Sequence, residues 1–282
     1  MINRWYVLDL VEGASVAAAL TNGTPWETYC FDWGDPEDED RHVSWDDVVA
    51  RLQRVVRRLM RMTGAPRVTL VGYSMGAILS GIVTALAPER IASLVNVVGP
   101  FDFTHAGRLG AWTDPRWFDV AAITSAGNVS AWQMHAGFAT LMPTRVVGRW
   151  LEILDRKGVA RDEMVALDRW VNDATAFPAA AYATYVKELY QENRLVRGEH
   201  WVGGERVDLA RITCPTLVVA ADRDAICPPK AATALLDATR APVKDVITVS
   251  GGHVGGVAGT RATKELYPQL RAWLDANTRL SA

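Results

Sequence analysis

Hydrophobic positions along this chain fall into short continuous runs and helically spaced sets, and the two kinds alternate. Val68 to Val71, rich in β-branched residues, and Ala92 to Val98 are short apolar runs, and Thr216 to Ala221 and Val243 to Val249 also read as strands. Such runs predict strands buried on both faces. Ala77 to Ala87, Pro229 to Ala238 and Thr260 to Ala276 read as helices between and after them. Ser44 opens a longer helix, with Asp46 and Asp47 in its first turn. Val48, Val49, Leu52, Val55, Val56, Leu59 and Met60 follow its i, i+3, i+4 spacing. Arg51, Arg54, Arg57, Arg58 and Arg61 fall mostly on the other side. That basic stripe reads first as a solvated face and second as a surface for an anionic substrate such as a coenzyme. Alternation of strand and helix implies a parallel sheet with right-handed crossovers.

Upstream, Arg4 to Leu10 reads as a strand end or extended lead-in and Ala14 to Leu20 as a short helix. Glu27 to Trp33 reads as a strand whose propensity comes from Thr28, Tyr29, Phe31 and Trp33. Gly34-Asp35-Pro36 ends it, and the acidic run Glu37 to Asp40 reads as a solvated loop. Thr104 to Glu205 breaks the alternation. Its patterning is helical, and it holds six of the eleven tryptophans: Trp112, Trp117, Trp132, Trp150, Trp170 and Trp201. The expected organisation is an α/β core from residues 1–103 and 206–282, with a mostly parallel sheet, flanking helices and a helical cap inserted over 104–205. The cap aromatics read first as cap core and second as walls of an acyl-binding cavity.

Composition narrows the partners. A chain of 282 residues with 49% apolar composition buries enough surface for one domain with an insertion. A net charge of −2 argues against a nucleic-acid partner and supplies no polybasic membrane address. Val68 to Pro88 carries no charge and is about as long as a bilayer-spanning helix. Its glycines and flanking turn signals fit a strand plus a core helix instead, so no membrane span is expected. Cys30, Cys214 and Cys227 form no C-x-x-C pair and no metal-ligand spacing, so neither a metal nor a cofactor is expected. Scattered cysteines and a first segment without signal-peptide character point to the cytoplasm.

Candidate chemistry centres on Gly72-Tyr73-Ser74-Met75-Gly76, a G-x-S-x-G between a strand and a helix. That setting predicts a nucleophile elbow, with Ser74 in a strained turn and small neighbours at 72 and 76 giving it room. The helix N-terminus beneath would offer N–H groups to an oxyanion, Met75 first. A serine hydroxyl needs a base and the base an orienting acid, in chain order Ser, acid, His for α/β-hydrolase sheets. Asp222-Arg223-Asp224 follows one late strand, and Gly251-Gly252-His253 follows the last. His253 is the candidate base. His42, His105, His135 and His200 read as surface or satisfied polar residues. Asp224 is favoured as the acid because Asp-x-Ile-x-Pro places it at the loop bend, leaving Asp222 for local backbone. Asp102 is a reserve acid, and Cys227 reads as a small apolar packer.

The chain resembles the catalytic subunits of polyhydroxyalkanoate synthases from end to end. The matching stretches are Tyr6-Val-Leu-Asp-Leu10, Phe31-Asp-Trp-Gly-Asp-Pro36, Val71-Gly-Tyr-Ser-Met-Gly76, Pro88-Glu-Arg90 and Trp170. Further matches are Tyr190-Gln-Glu-Asn-Arg-Leu195, Val207-Asp-Leu209, Ile212-Thr-Cys-Pro215, Asp224-Ala-Ile-Cys-Pro228 and Gly251-Gly-His-Val-Gly255. The resemblance implies a transferase that loads a hydroxyacyl group from coenzyme A onto a nucleophile and passes it to a hydroxyl. It implies Ser74 as nucleophile, Asp224 as acid and His253 as base. Serine stands where the family normally has cysteine, Ala77 where a glycine usually extends the motif, and Ala225 where a second histidine often follows the acid. The family also has a strand and an oxyanion loop before the segment matching Ile2-Asn3, and this chain starts inside that loop. A second oxyanion donor is therefore expected from Met1 to Arg4, with Asn3 the candidate, or is missing. A truncated gene model and a diverged function both accommodate this start.

The first reading is a serine acyltransferase or thioesterase acting on acyl thioesters, acyl-coenzyme A among them. A serine ester is less activated toward transfer than a cysteine thioester, which favours short-chain transfer or hydrolysis over long polymer synthesis. The second is a carboxylesterase or polyester depolymerase, and the third a non-catalytic granule or partner protein. A homodimer through the cap is the expected assembly.

Overall fold

The computed structural model describes residues 2–141 and 158–278. A four-stranded sheet runs in the order β1 (Val68–Tyr73), β2 (Ile91–Val97), β5 (Thr216–Ala221) and β6 (Lys244–Val249). All its pairings are parallel. Successive residues face opposite layers: Leu94 and Val218 join one core, while Val95, Val97, Leu217 and Val219 join the other. The first layer contains α2 (Trp45–Thr63), α3 (Met75–Leu86) and α9 (Pro229–Ala238). The second contains α1 (Val16–Thr21), α10 (Thr260–Glu265) and α11 (Tyr267–Asn277). Helices on both faces bury β2 and β5 almost throughout, whereas β1 is half-buried and the outer strand β6 exposes Lys244, Asp245, Val246 and Thr248.

Local chemistry fixes the helix ends. Ser44 accepts from the Asp47 N–H at 3.1 Å, and the Asp47 carboxylate accepts from the Ser44 N–H at 2.9 Å. This reciprocal cap satisfies N–H groups that a helix start leaves free. The helix expected over Thr260–Ala276 is two helices. Pro268 cannot continue a helical hydrogen-bond ladder, so it sits in the first turn of α11.

Two sequence expectations fail on the N-terminal side, and a third gains detail. Trp5–Asp9 is a 3₁₀ turn and not an extended lead-in. Asp38–His42 is also a 3₁₀ turn, exposed as expected of the acidic run but closed by a hydrogen bond from the Glu37 N–H to Asp40 at 2.9 Å. Glu27 to Trp33 belongs to no strand. β1 is the outermost strand on that side of the sheet, bonded only to β2. A cavity lies along its free edge, with residues 27–34 on the cavity wall. The β-prone residues are present, but they line the cavity beside β1 and form no ladder with its free edge.

Between residues 104 and 205 the described elements are α4 (Gly107–Trp112), α5 (Val120–Thr124), α6 (Ala131–Leu141), α7 (Val159–Asn172) and α8 (Ala179–Thr184). A π-helical turn over Tyr185–Gln191 and the small antiparallel pair β3 (Trp201–Val202) and β4 (Glu205–Arg206) complete them. Phe177, Tyr182, Tyr185 and Leu189 share one apolar cluster with α2 and α3. The tryptophans divide. Trp170 is buried and donates its indole N–H to the Arg4 carbonyl at 2.8 Å. Trp112 lies 4.8 Å from Phe118 between ring centroids. Trp117, Trp132 and Trp201 are exposed, and Trp150 lies outside the described residues.

Candidate active site

Ser74 stands between β1 and α3 with φ 53° and ψ −120°, a conformation few non-glycine residues adopt. Holding it costs about 1–3 kcal/mol, which the surroundings must offset. Gly72 supplies room: a Cβ there would lie 2.5 Å from the Gly76 carbonyl and 2.6 Å from the Ala77 nitrogen. Gly76 does not, because a Cβ there would meet nothing within 4 Å. The expectation of matched glycines on both sides is thus half right. The second close approach comes from across the sheet, at Gly99, whose Cβ would fall 2.7 Å from the Ser74 carbonyl oxygen. The motif alone carries no sign of it.

The structure brings Ser74, His253 and Asp224 together. His253 Nε2 lies 2.9 Å from Ser74 Oγ, and Nδ1 lies 2.7 Å from Asp224 Oδ2. With Nδ1 donating its proton to the carboxylate, Nε2 is left to accept the serine proton. The other oxygen of Asp224 accepts from the N–H groups of Ile226 at 2.8 Å and Cys227 at 2.9 Å. One carboxylate therefore holds both its own loop and the imidazole. Tyr73 donates its hydroxyl to the His253 carbonyl at 3.2 Å. Burial, with the Asp224 charge nearby, pushes the Tyr73 hydroxyl far above its usual range, so it stays a donor. Sequence reading passed over Tyr73, a variable position within the motif.

The other candidates lie elsewhere. Asp222 is exposed and accepts from the Gly251 N–H at 2.7 Å, clipping the β5 and β6 loops together. That bond holds its carboxyl below the usual range. Asp102 caps the Phe103–His105 turn, accepting from Thr104 N–H at 3.0 Å and Asn193 at 2.9 Å. Burial alone would raise its pKa, but these bonds bring it below the ordinary value. Burial drives the Cys227 thiol pKa up, leaving it an apolar packer. His200 is fully buried, its Nε2 accepting from Trp45 at 3.1 Å and its Nδ1 lying 2.8 Å from Glu188. His105 pairs with Asp102 at 3.8 Å, and Arg41 donates to the exposed His42 at 3.2 Å. His135 lines the cavity.

Met75 begins α3 directly beneath Ser74, where a helix presents unbonded N–H groups and the positive end of its dipole. Asn3 lines the same cavity. Its side-chain oxygen accepts from the Arg4 N–H at 3.2 Å, and its backbone bridges to Ala174. Arg4 is fastened in turn to Asp35 at 2.8 Å and Asp173 at 3.3 Å. The cavity measures about 1650 Å³ and opens onto Ser74 and His253. Leu52, Val56, Trp112, Phe118, Met134 and Tyr185 give it apolar walls. Among the described residues no group of histidine, cysteine and acidic side chains is placed to hold a metal ion, and no helix is long and apolar enough to cross a membrane.

Comparison with known proteins agrees with the fold. The pattern of the α/β hydrolase fold matches residues 9–257. The poly(3-hydroxyalkanoate) polymerase subunit PhaC of Allochromatium vinosum is 30% identical over 281 residues, which cover 98% of this chain and 78% of that one. The corresponding subunit of Haloferax mediterranei is 29% identical over 281 residues, covering 97% of this chain and 56% of that one. This chain therefore spans little more than half the length of the Haloferax protein. A monoacylglycerol lipase from Paleococcus ferrophilus superposes with a TM-score of 0.52 at 16% identity, over 84% of this chain and 77% of the lipase. That likeness concerns the fold alone.

Proposed function

We propose a function from one premise: the chain belongs to the α/β hydrolase fold family, in its poly(3-hydroxyalkanoate) polymerase-like group. Its reaction is acyl transfer or hydrolysis on hydroxyacyl thioesters through an acyl-Ser74 intermediate. The observation that carries this reading is the unbroken hydrogen-bond chain Asp224–His253–Ser74 opening onto a large apolar cavity.

Each group then has a task. His253 Nε2 takes the Ser74 proton as Oγ attacks the thioester carbonyl. The tetrahedral oxyanion is met by the Met75 N–H and the α3 dipole, with Asn3 the candidate for a second contact. His253 returns the proton to the departing thiol, and Asp224 stabilises the imidazolium formed in between. Water or an alcohol next gives its proton to His253 and attacks the acyl-serine, releasing acid or ester and restoring Ser74. No resident cofactor enters these steps. In this reading the described parts of 104–205 roof the site, and the aromatics among them that line the cavity set acyl preference. Exposed Trp117 and Trp132 motivate a homodimer through that region in the cytoplasm, and a monomeric mass by light scattering would remove the dimer.

Intact-protein mass after incubation with 3-hydroxybutyryl-coenzyme A tests the proposal. A single acyl adduct on the wild type, absent from Ser74→Ala, is expected. No adduct, combined with turnover of p-nitrophenyl esters, would move the assignment to a carboxylesterase or depolymerase. That second reading is favoured by the serine itself, since a serine activated by histidine suits oxygen esters equally well. No acylation by either substrate would leave a non-catalytic protein.

A further inference from the structure

A carboxamide sits in the middle of the apolar sheet. Asn96 is fully buried on β2, paired in register with Gly72 of β1 on one side and Val218 of β5 on the other. An apolar side chain of the same size would fill this position without placing polar atoms in a core, where an unbonded amide costs about 1–3 kcal/mol. The amide is bonded, and two of its three bonds go to one residue. Its Oδ1 accepts from the Gly99 N–H at 2.8 Å, while its Nδ2 donates to the Gly99 carbonyl at 2.9 Å and to the Ala232 carbonyl at 3.3 Å.

The turn held in this way is strained and touches the nucleophile. Val98 has φ 48°, where a β-branched side chain is a true outlier. Beside it, a Cβ on Gly99 would fall 2.5 Å from the Ala77 Cβ and 2.7 Å from the Ser74 carbonyl oxygen. One residue earlier, the Val97 carbonyl accepts from the Ser74 N–H at 2.8 Å. Residues 97–99 thus meet Ser74 at both its N–H and its carbonyl. Two residues with positive φ, Ser74 and Val98, thus stand in turns joined through Val97 and Gly99, and neither conformation is one its residue would choose alone. Such strain persists only where neighbours over-determine it.

From this we infer that Asn96 is a positioning residue for the nucleophile: by stapling the Val98–Gly99 turn, it holds the Ser74 backbone in the elbow that aims Oγ at His253. The inference rests on the serine reading above. Asn96 acts through Gly99 and touches no substrate.

The test compares wild type, Asn96→Leu and Gly99→Ala, with Ser74→Ala as the unlabelled control. A fluorophosphonate reports the rate of Ser74 labelling, a p-nitrophenyl ester separates kcat from KM, and thermal unfolding gives the folded fraction. Displacing a reacting group by about 1 Å can cost on the order of a hundredfold in rate. Asn96→Leu should therefore lower labelling rate and kcat by roughly ten- to a hundredfold per folded molecule, leaving KM within about twofold. Labelling at the wild-type rate per folded molecule would overturn the inference and leave Asn96 a packing residue only. Gly99→Ala perturbs the same turn from the other side, and its labelling rate decides the matter if Asn96→Leu does not fold. A separate measurement covers failure of the serine reading itself, which an unlabelled wild type would reveal. Amide exchange at Ser74 should then speed up in the variant while Leu70 and Val95 stay unchanged, and unchanged exchange at Ser74 would refute the staple.

Discussion

The two sides of β1 each face a segment with strand propensity, and the two segments have different fates. Toward β2 the strand has a partner at every residue from Val68 to Tyr73, and the elbow, the acid loop and the histidine loop are built on that side. Away from β2, the β-prone segment Glu27 to Trp33 has no partner and lies irregular on a cavity wall. Propensity describes fitness for a pleated surface and does not create the neighbour that completes one. The Asp224–His253–Ser74 arrangement depends on the paired side. The open side supplies the cavity and the Ile2–Arg4 rim.

The largest effects are expected on the paired side. Ser74→Ala and His253→Ala should each remove on the order of 10⁴- to 10⁶-fold of kcat, because triad members act as a unit. Asp224→Ala should cost somewhat less, since the acid orients and stabilises the imidazole. Asp222→Ala should leave kcat within about threefold, its carboxylate being an exposed clip between two loops that does not touch His253. Ester turnover at saturating substrate checks the series. A larger loss in Asp222→Ala than in Asp224→Ala, both folded, would exchange the two roles.

Next in size is the contrast between the motif's two glycines. Gly72→Ala forces a methyl against the Gly76 carbonyl and the Ala77 nitrogen, so the elbow must shift. A loss of more than about 3 kcal/mol or failure to fold is expected. Gly76→Ala places a methyl in open space inside a helix, and should stabilise by up to about 1 kcal/mol. Urea midpoints measure both. Equal destabilisation would restore the symmetrical view of the motif that sequence alone suggests.

How far the chain could be read from its sequence follows the same division. β1, β2, β5, β6, α3 and α9 were legible because each is a short run whose neighbours follow in regular alternation. Ser74, Asp224 and His253 were legible as positions because loops after successive strands converge at one sheet end. Gly99, Asn96 and Tyr73 were not. Their contacts are set by register between β1 and β2 and by the histidine loop, and no spacing along the chain encodes either. Glu27 to Trp33 misled for the complementary reason: a strand pattern can be read locally, while the strand beside it cannot.

A moderate effect is expected from pH on the layer that supports the elbow. Burial lowers the His200 pKa below its ordinary 6.5, while the facing Glu188 and Asp46 raise it and Arg194 lowers it. Its Nε2 accepts from the Trp45 indole, and an imidazolium cannot accept. The unfolded chain therefore binds a proton near pH 6.5 that the folded chain resists. This contribution to stability is present above 6.5 and is lost as the pH falls toward the lowered folded value. Urea midpoints measured between pH 7.5 and 5 should fall, and the fall should be shallower in His200→Gln. A slope identical in both proteins would show that other groups carry it.

The smallest effect is expected on the open side, where it sharpens the comparison most. Tyr29 is half exposed, and its hydroxyl donates only to exposed Glu27 at 3.0 Å. In a paired strand, a tyrosine at such a position would contribute roughly 0.2–1 kcal/mol through cross-strand contacts, and replacing it with a turn-forming residue would weaken the ladder. With no partner strand, Tyr29→Asn should change unfolding free energy by no more than about 0.5 kcal/mol, within the range of ordinary surface substitutions. The matching change on the paired side is Val95→Asn, which buries an amide between β1 and β5 and should cost several times more. Chemical denaturation of the two variants gives the ratio directly. A loss above about 1.5 kcal/mol in Tyr29→Asn would mean that Glu27 to Trp33 is held by strand pairing in solution, and the open edge of β1 would then be closed there.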